Sequence, residues 1–275
     1  MMLSLDSSLL IVSDLDGSLL DHHDYNWNAA RQWLARLKQF RIPVIICSSK
    51  TAAEIVPLQE QLGIAGSPFI AENGARIVMT GEATGADTPG EEYRVLCRNL
   101  EALRHRFCFT GFHELSDADV ADATGLTLAE AHLSRLRDAS EVLLWRDDEQ
   151  RLEDFRIALA GYGLALTRGG RFWHVMPEGC DKGHALVWLQ QQLERQEGKP
   201  RITMGLGDGP NDIPMLTRVD YAVVIKGTGT KSVVLPRADE EHVYYTTLAG
   251  PEGWREGLDY FLLNPAMGAR PEDKQ

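Results

Sequence analysis

Asp14-Leu15-Asp16-Gly17 sets two carboxylates one residue apart directly behind the apolar run Leu9–Ser13. Gly17 permits the turn that lets both face one site. Ser48-Ser49-Lys50 follows a second apolar run, residues 42–47, at a strand-to-helix junction where free backbone N–H groups and a hydroxyl favour an anion. Gly207-Asp208-Gly209-Pro210-Asn211-Asp212 follows a third such run, residues 202–206, and again opens a helix. Lys182, at the start of another helix, offers a point charge for phosphate oxygens. Carboxylates in Gly-rich turns, with no His or Cys cage, suit a hard divalent cation bridging protein and phosphate, and magnesium is the simplest choice. One carboxylate is then free to attack phosphorus, while its neighbour protonates the leaving oxygen and later activates water.

These stretches must be brought together by the elements around them. In an open α/β sheet the ligand crevice lies at the carboxyl ends of the strands, so three polar segments that each terminate a strand are expected to converge. Trp27, Ala30, Leu34 and Leu37 recur at helical spacing, and Thr51 with Glu54 forms a capping box for the next helix. Pro57 predicts a kink or a shortened first turn there. Residues 68–71 and 75–79 read as two strands joined at Asn73-Gly74. Residues 81–90, rich in Gly, Thr, Ala and Asp, read as a linker. Helical patterns at 92–107, 128–139 and 149–162 then alternate with strand-like runs at 108–112, 141–145, 164–167 and 171–176, which describes a separate α+β unit. The helix–strand order of the first part resumes with 181–195, 202–206 and 221–225, and the tail from Asn264 is expected to fray. The topology this predicts is a parallel-sheet core interrupted by an inserted domain.

A chain of 275 residues exceeds what one compact core usually holds, in keeping with that insertion. Forty acidic against 28 basic residues give a formal charge of -12, which argues against nucleic acid and anionic membrane as partners but leaves a small anionic ligand open. No basic start and no long apolar run mark a leader or a membrane span, and Cys47, Cys97, Cys108 and Cys180 form no CxxC pair. Cytoplasmic location with free thiols, and no obligate protein partner, is the expectation.

DLDGS at 14–18, SSK at 48–50, Lys182-Gly183 and GDGPND at 207–212 resemble, in order and spacing, the four motifs of the haloacid dehalogenase-like phosphatase superfamily. That resemblance implies an α/β fold: a doubly wound parallel-sheet (Rossmann-like) core at 1–82 and 178–275, with an inserted α/β cap domain at 83–177. It implies Asp14 as nucleophile and magnesium ligand. It implies Asp16 as general acid/base that also lends its backbone carbonyl to the metal. Ser48, with Ser49 beside it, and Lys182 would bind the phosphoryl group. Asp208 would complete the Mg2+ site, supported by Asn211 and Asp212. The first motif carries Ser18 where Thr is commoner, which keeps the hydroxyl.

SSKT at 48–51, IAENGA at 70–75, RFWHV at 171–175 and GPEGW at 250–254 are similar to segments of the mannosyl-3-phosphoglycerate phosphatases. This implies hydrolysis of that substrate to mannosylglycerate and phosphate. A ligand carrying phosphate, carboxylate and sugar asks for cationic groups beyond the phosphate site. Lys50, Arg146, Arg171 and His174 are the side-chain candidates, with Gly250 and Gly253 offering backbone N–H groups and Asn73 bordering the pocket. The rival readings are a phosphatase of other sugar phosphates or of glucosyl-3-phosphoglycerate, a phosphoryl-transferring mutase, and a non-catalytic sugar-phosphate sensor. Trp145, Trp173 and Trp254 are assigned to packing, and His22-His23 to a solvated turn.

Overall fold

The computed structural model describes residues 3, 5, 6, 8–81, 91–169, 171–227, 233–237 and 239–263. The linker expected at 81–90, apart from Gly81, and the tail expected to fray from Asn264 lie outside them. In chain order the strands are β1 Leu9–Ser13, β2 Val44–Cys47, β3 Phe69–Ala71, β4 Arg76–Val78, β5 Phe109–Gly111, β6 Glu141–Trp145, β7 Leu164–Arg168, β8 Trp173–Pro177, β9 Ile202–Gly207, β10 Tyr221–Val224 and β11 Val243–Tyr245. The helices are α1 Arg31–Gln39, α2 Ala52–Leu62, α3 Glu91–Leu103, α4 Asp117–Thr124, α5 Leu128–Arg135, α6 Leu152–Ala160, α7 Lys182–Glu197, α8 Ile213–Leu216 and α9 Gly250–Leu263.

The large sheet runs β11-β10-β9-β1-β2-β3-β4, parallel throughout except that β4 folds back antiparallel on β3. Alternate residues of each strand face opposite sides, so Leu9 and Ile11 enter one core while Leu10 and Val12 enter the other. The first core takes Trp33, Leu34 and Leu37 of α1, Ile55 of α2 and Trp254 and Leu258 of α9. The second takes Leu186 and Leu189 of α7 and Met215 and Leu216 of α8. Helices therefore cover both faces, as a doubly wound sheet requires. From β1 the chain moves outward through β2 and β3, then returns to β9 on the other side and moves outward again. The order reverses between β1 and β9, and a crevice opens at that switch point, at their carboxyl ends.

A second sheet, antiparallel in the order β5-β6-β8-β7, is built by the stretch between β4 and α7. One face packs on α3 and α6 through Leu96, Leu100, Phe155 and Leu159. The other carries Phe112, Val120, Ala131 and Val142, with α4 and α5.

One local expectation is corrected. Helix α2 continues through Pro57 to Leu62 without shortening, because the Thr51–Glu54 capping box and the buried Ile55, Gln59 and Leu62 hold it on both sides of the proline. The segment around Ser116 is helical, starting with a capping box of its own, Ser116 with Asp119. Residues 250–263 form α9 despite three glycines. At Gly253 a Cβ would stand 2.3 Å from the carbonyl oxygen of Leu248, so only glycine lets the helix seat this closely.

Candidate active site

Three strand ends meet at the switch point. Asp14 follows β1, and its backbone N–H donates to Leu206 O at 2.9 Å, so β9 extends pairing up to the first carboxylate. Gly17, at φ +85°, then turns the chain, and a Cβ on it would lie 2.6 Å from Asp208 Oδ2. Glycine is therefore needed both for the turn and for the approach of the two acidic segments. Ser48 follows β2; its N–H donates to Ile70 O at 2.9 Å and its carbonyl accepts from Asn73 N–H at 2.9 Å. The Ser48 hydroxyl accepts from Lys50 N–H at 3.2 Å, which turns the backbone toward α2.

Lys182 is the centre of the arrangement. It is 1% exposed at the first position of α7, and its Nζ donates to Asp14 Oδ1 at 2.7 Å and to Asp212 Oδ1 at 2.6 Å. Burial alone would drive its proton off, but Asp14 and Asp212 outweigh that and hold the ammonium above its ordinary range. The other oxygen of Asp212 accepts from the N–H groups of Asp208 and Gly209 at 3.1 and 2.9 Å. Asp212 thus clamps the loop that presents Asp208. Asp14, Asp208 and Asp212 bring one oxygen each to within 4.8 Å of one another. Burial and then Asp212 push the Asp14 carboxyl well above its ordinary value, against Lys182. The same two causes push Asp208 up to about 7, against Lys182 and the Ser18 hydroxyl 3.2 Å away. A group of oxygens this crowded with negative charge is the donor set that a hard divalent cation prefers.

Asp16 stands beside this group. Its side chain is 31% exposed and pairs with Lys50 Nζ at 3.0 Å, while its Oδ1 is buried without a hydrogen-bond partner. Lys50 also reaches Glu54 at 3.6 Å and lies over the Tyr25 ring at 5.1 Å. Burial lowers its ammonium, but Asp16 and Glu54 raise it further, so it stays charged.

Above these groups opens a cavity of about 430 Å³, within the usual range for small-molecule sites. Asp14, Asp16, Ser49, Lys50, Asp208 and Asn211 line its floor, and Arg171 and His174 of the small-sheet unit line its roof. Ser48, Asn73, Lys182 and Asp212 are buried behind the floor, bonded to the residues that line it. Asn73 accepts from Asn211 Nδ2 at 3.1 Å, tying the hairpin to the Asp208 loop, and its own Nδ2 is buried without a partner. Arg171 donates to Thr124 O at 2.5 Å. His174 is not a cation: burial, then Arg137 and Lys182, push its imidazole down to about 3, and its Nδ1 is buried without a partner.

Two groups of sequence candidates lie elsewhere. Arg146 is outside the lining, with Nε donating to Thr110 Oγ1 at 3.1 Å. Gly250 and Gly253 open α9, also outside the lining, and the Gly253 N–H is given to Ala249 O at 3.1 Å. His22, assigned to a solvated turn, borders the cavity instead. Arg137, Arg168 and Tyr25 also line it without having been singled out. Arg137 is buried, and its guanidinium bridges Ser140 O at 2.9 Å in its own unit to Ser49 O at 3.3 Å in the floor. No motif marks such a residue, because its value depends on two distant segments meeting.

Comparison with known proteins fits this geometry. A family model described as haloacid dehalogenase-like hydrolase matches residues 11–234. A Thermoplasma acidophilum protein is similar at 17% identity, covering 95% of this chain and 99% of that one, with a TM-score of 0.67. A Bacteroides thetaiotaomicron phosphatase of the haloalkanoate superfamily is similar at 19% identity, over 94% and 96% of the two chains, with a TM-score of 0.66. The sucrose-phosphatase of Synechocystis sp. PCC6803, solved with sucrose and phosphate, is similar at 16% identity, over 92% and 98%, with a TM-score of 0.64.

Proposed function

The chain belongs to the haloacid dehalogenase-like hydrolase family, and from that premise we propose that it is a magnesium-dependent phosphatase whose substrate is mannosyl-3-phosphoglycerate. The observation that carries the reading is Lys182, buried between Asp14 and Asp212 under the floor of the cavity. An ammonium in that place orients one oxygen of Asp14 and favours its ionised form, leaving the other oxygen for an incoming phosphorus.

In this reading Asp14 Oδ attacks phosphorus, the ester oxygen departs, and a phosphoaspartate forms. Asp16 protonates that oxygen and then takes a proton from the water that hydrolyses the acyl phosphate. Lys50, 3.0 Å from Asp16, holds the carboxyl in place for both transfers. Ser48, Ser49 and Lys182 receive the phosphoryl oxygens. Asp14, Asp208 and the backbone carbonyl of Asp16 would hold Mg2+, with Asp212 and Asn211 fixing the loop; the crowded oxygens of Asp14, Asp208 and Asp212 fit such an ion. When bound, the ion neutralises the charge of the phosphoryl group and of these carboxylates.

Residues 83–177 would act as a cap over a core made of 1–82 and 178–275, shielding the reaction from bulk water. The substrate choice is supported by the roof, where Arg137, Arg168 and Arg171 line the cavity opposite the acidic floor. Guanidinium groups suit a second anion such as a glycerate carboxylate, which a plain hexose phosphate lacks. A ligand of this size is in keeping with the similar sucrose-phosphatase, which was solved with sucrose and phosphate.

The experiment is phosphate release from a panel of hexose phosphates and of mannosyl- and glucosyl-phosphoglycerates, with Mg2+. Highest kcat/KM on mannosyl-3-phosphoglycerate supports the reading, and preference for plain hexose phosphates removes the substrate claim. Asp14→Asn should lower kcat by at least about 10³-fold with the fold intact by circular dichroism. Undiminished turnover in that variant removes the mechanism.

A further inference from the structure

The described residues hold a second group of metal-ligating side chains. Cys97 of α3, His113 of the turn after β5 and Glu141 at the start of β6 bring one sulfur, one ring nitrogen and one carboxylate oxygen to within 4.8 Å of one another. None of the three lines the cavity of the candidate active site. We propose that Cys97, His113 and Glu141 form a zinc site, with water in the fourth position.

The side-chain chemistry is what zinc selects. Thiolate, imidazole and carboxylate are its three protein ligand types, and bonds of about 2.0–2.3 Å place tetrahedral ligand atoms roughly 3.3–3.7 Å apart. His113 Nδ1 already stands 3.2 Å from Glu141 Oε1. Magnesium and calcium would not recruit a thiol.

The surroundings point the same way. Glu141 is 0% exposed, and His113 is its ion-pair partner among the described residues, with no lysine or arginine in that role. A fully buried carboxylate needs a cation, and a thiol adds little to an imidazolium pair but completes a ligand set. Glu141 Oε2 accepts from the Tyr93 hydroxyl, and the His113 N–H donates to Oε1 at 3.0 Å. These bonds orient the carboxylate as outer partners do in metal sites. Tyr93 lies one turn before Cys97 on α3, so one helix face supplies both a ligand and its support. At Gly111 a Cβ would fall 2.7 Å from both Glu141 Oε1 and His113 Nδ1, so glycine keeps this volume clear. His113 is 31% exposed on its side chain and Cys97 is half-buried, which leaves the fourth position open to water.

The test uses the full chain with saturating Mg2+, which fills the acidic site, and Co2+ as the spectroscopic probe. The expected result is a thiolate-to-cobalt charge-transfer band at one Co2+ per chain, removed by competing Zn2+ and absent in Cys97→Ser. Tyr93→Phe should weaken Co2+ binding by about 10–100-fold while keeping the band. Absence of the band in the wild type at excess Co2+, or its persistence in Cys97→Ser, overturns the proposal. On the wild-type chain, Zn2+ should slow iodoacetamide alkylation of Cys97 at least about tenfold while leaving the exposed Cys108 unchanged. Equal Cys97 rates with and without Zn2+ overturn it as well.

Discussion

The carboxylate of Glu72, in the β3–β4 hairpin, is received by Ser140 of the small-sheet unit at 2.7 Å from both its N–H and its hydroxyl. Asp138 N–H at 2.8 Å and Ala139 N–H at 3.2 Å donate to the same group, and Arg137 Nε lies 3.6 Å away. One wholly buried side chain therefore satisfies a turn of the other unit and stands next to Asn73, which is bonded to Asn211. Glu72→Gln turns one oxygen into a donor facing donors. Loss of about 3 kcal/mol or more of stability is expected, measured by urea unfolding, together with a raised KM. Unchanged values for both would show that the junction does not hold the roof.

Lys182→Met leaves Asp14 and Asp212 buried without their cation. Removing one partner of such a group costs about 3–5 kcal/mol. Without the ammonium the Asp14 carboxyl rises further above the unfolded value, so the folded variant holds a proton that the unfolded chain has released. Its stability therefore falls as pH increases from about 4. Unfolding midpoints for the variant should be lower at pH ~8 than at pH ~5, and a flat profile would contradict this.

Asp208, pushed up to about 7, ties metal binding to pH. An unfolded aspartate loses its proton near 3.9, so between about 4 and 7 the metal-free folded chain holds the extra proton, and its stability from this group declines as pH rises. A cation binding there must expel that proton. Calorimetric Mg2+ titrations in two buffers of different ionisation enthalpy should show proton release at pH ~6.5 that fades by pH ~8.5. Buffer-independent heats at pH ~6.5 would count against it.

His174 should behave oppositely. Its imidazole, pushed down to about 3, stays neutral while an unfolded histidine takes a proton below about 6.5, so it subtracts stability as pH falls through that window. Its ring resonances should not move between pH ~5 and ~8 in a heteronuclear NMR titration. A midpoint near 6.5 would show that the ring is solvated.

Asp14, Ser48 and Asp208 were legible because each ends an apolar run short enough to be a buried strand, and a parallel sheet delivers such ends to one edge. Lys182 was legible through its place at a helix start. The residues that escaped notice act at long range. Glu72 reads as part of a hairpin turn and no motif marks Arg137, until segments 66 residues apart meet at Asp138 and the Ser49 carbonyl accepts from Arg137. In the GPEGW segment glycine lowers helix propensity, so the helix is not legible there, and it is the close packing of α9 against Leu248 and Thr246 that requires Gly253.

Trp254 of α9 is fully buried, and its Nε1 donates at 2.9 Å to the hydroxyl of Ser13, which itself donates at 2.6 Å to the carbonyl of Asp14. The two bonded side chains are 241 residues apart. During synthesis, then, Ser13 waits for this donor until α9 has emerged. A nascent chain lacking α9 has every motif residue in place in sequence and still leaves Ser13 without this donor.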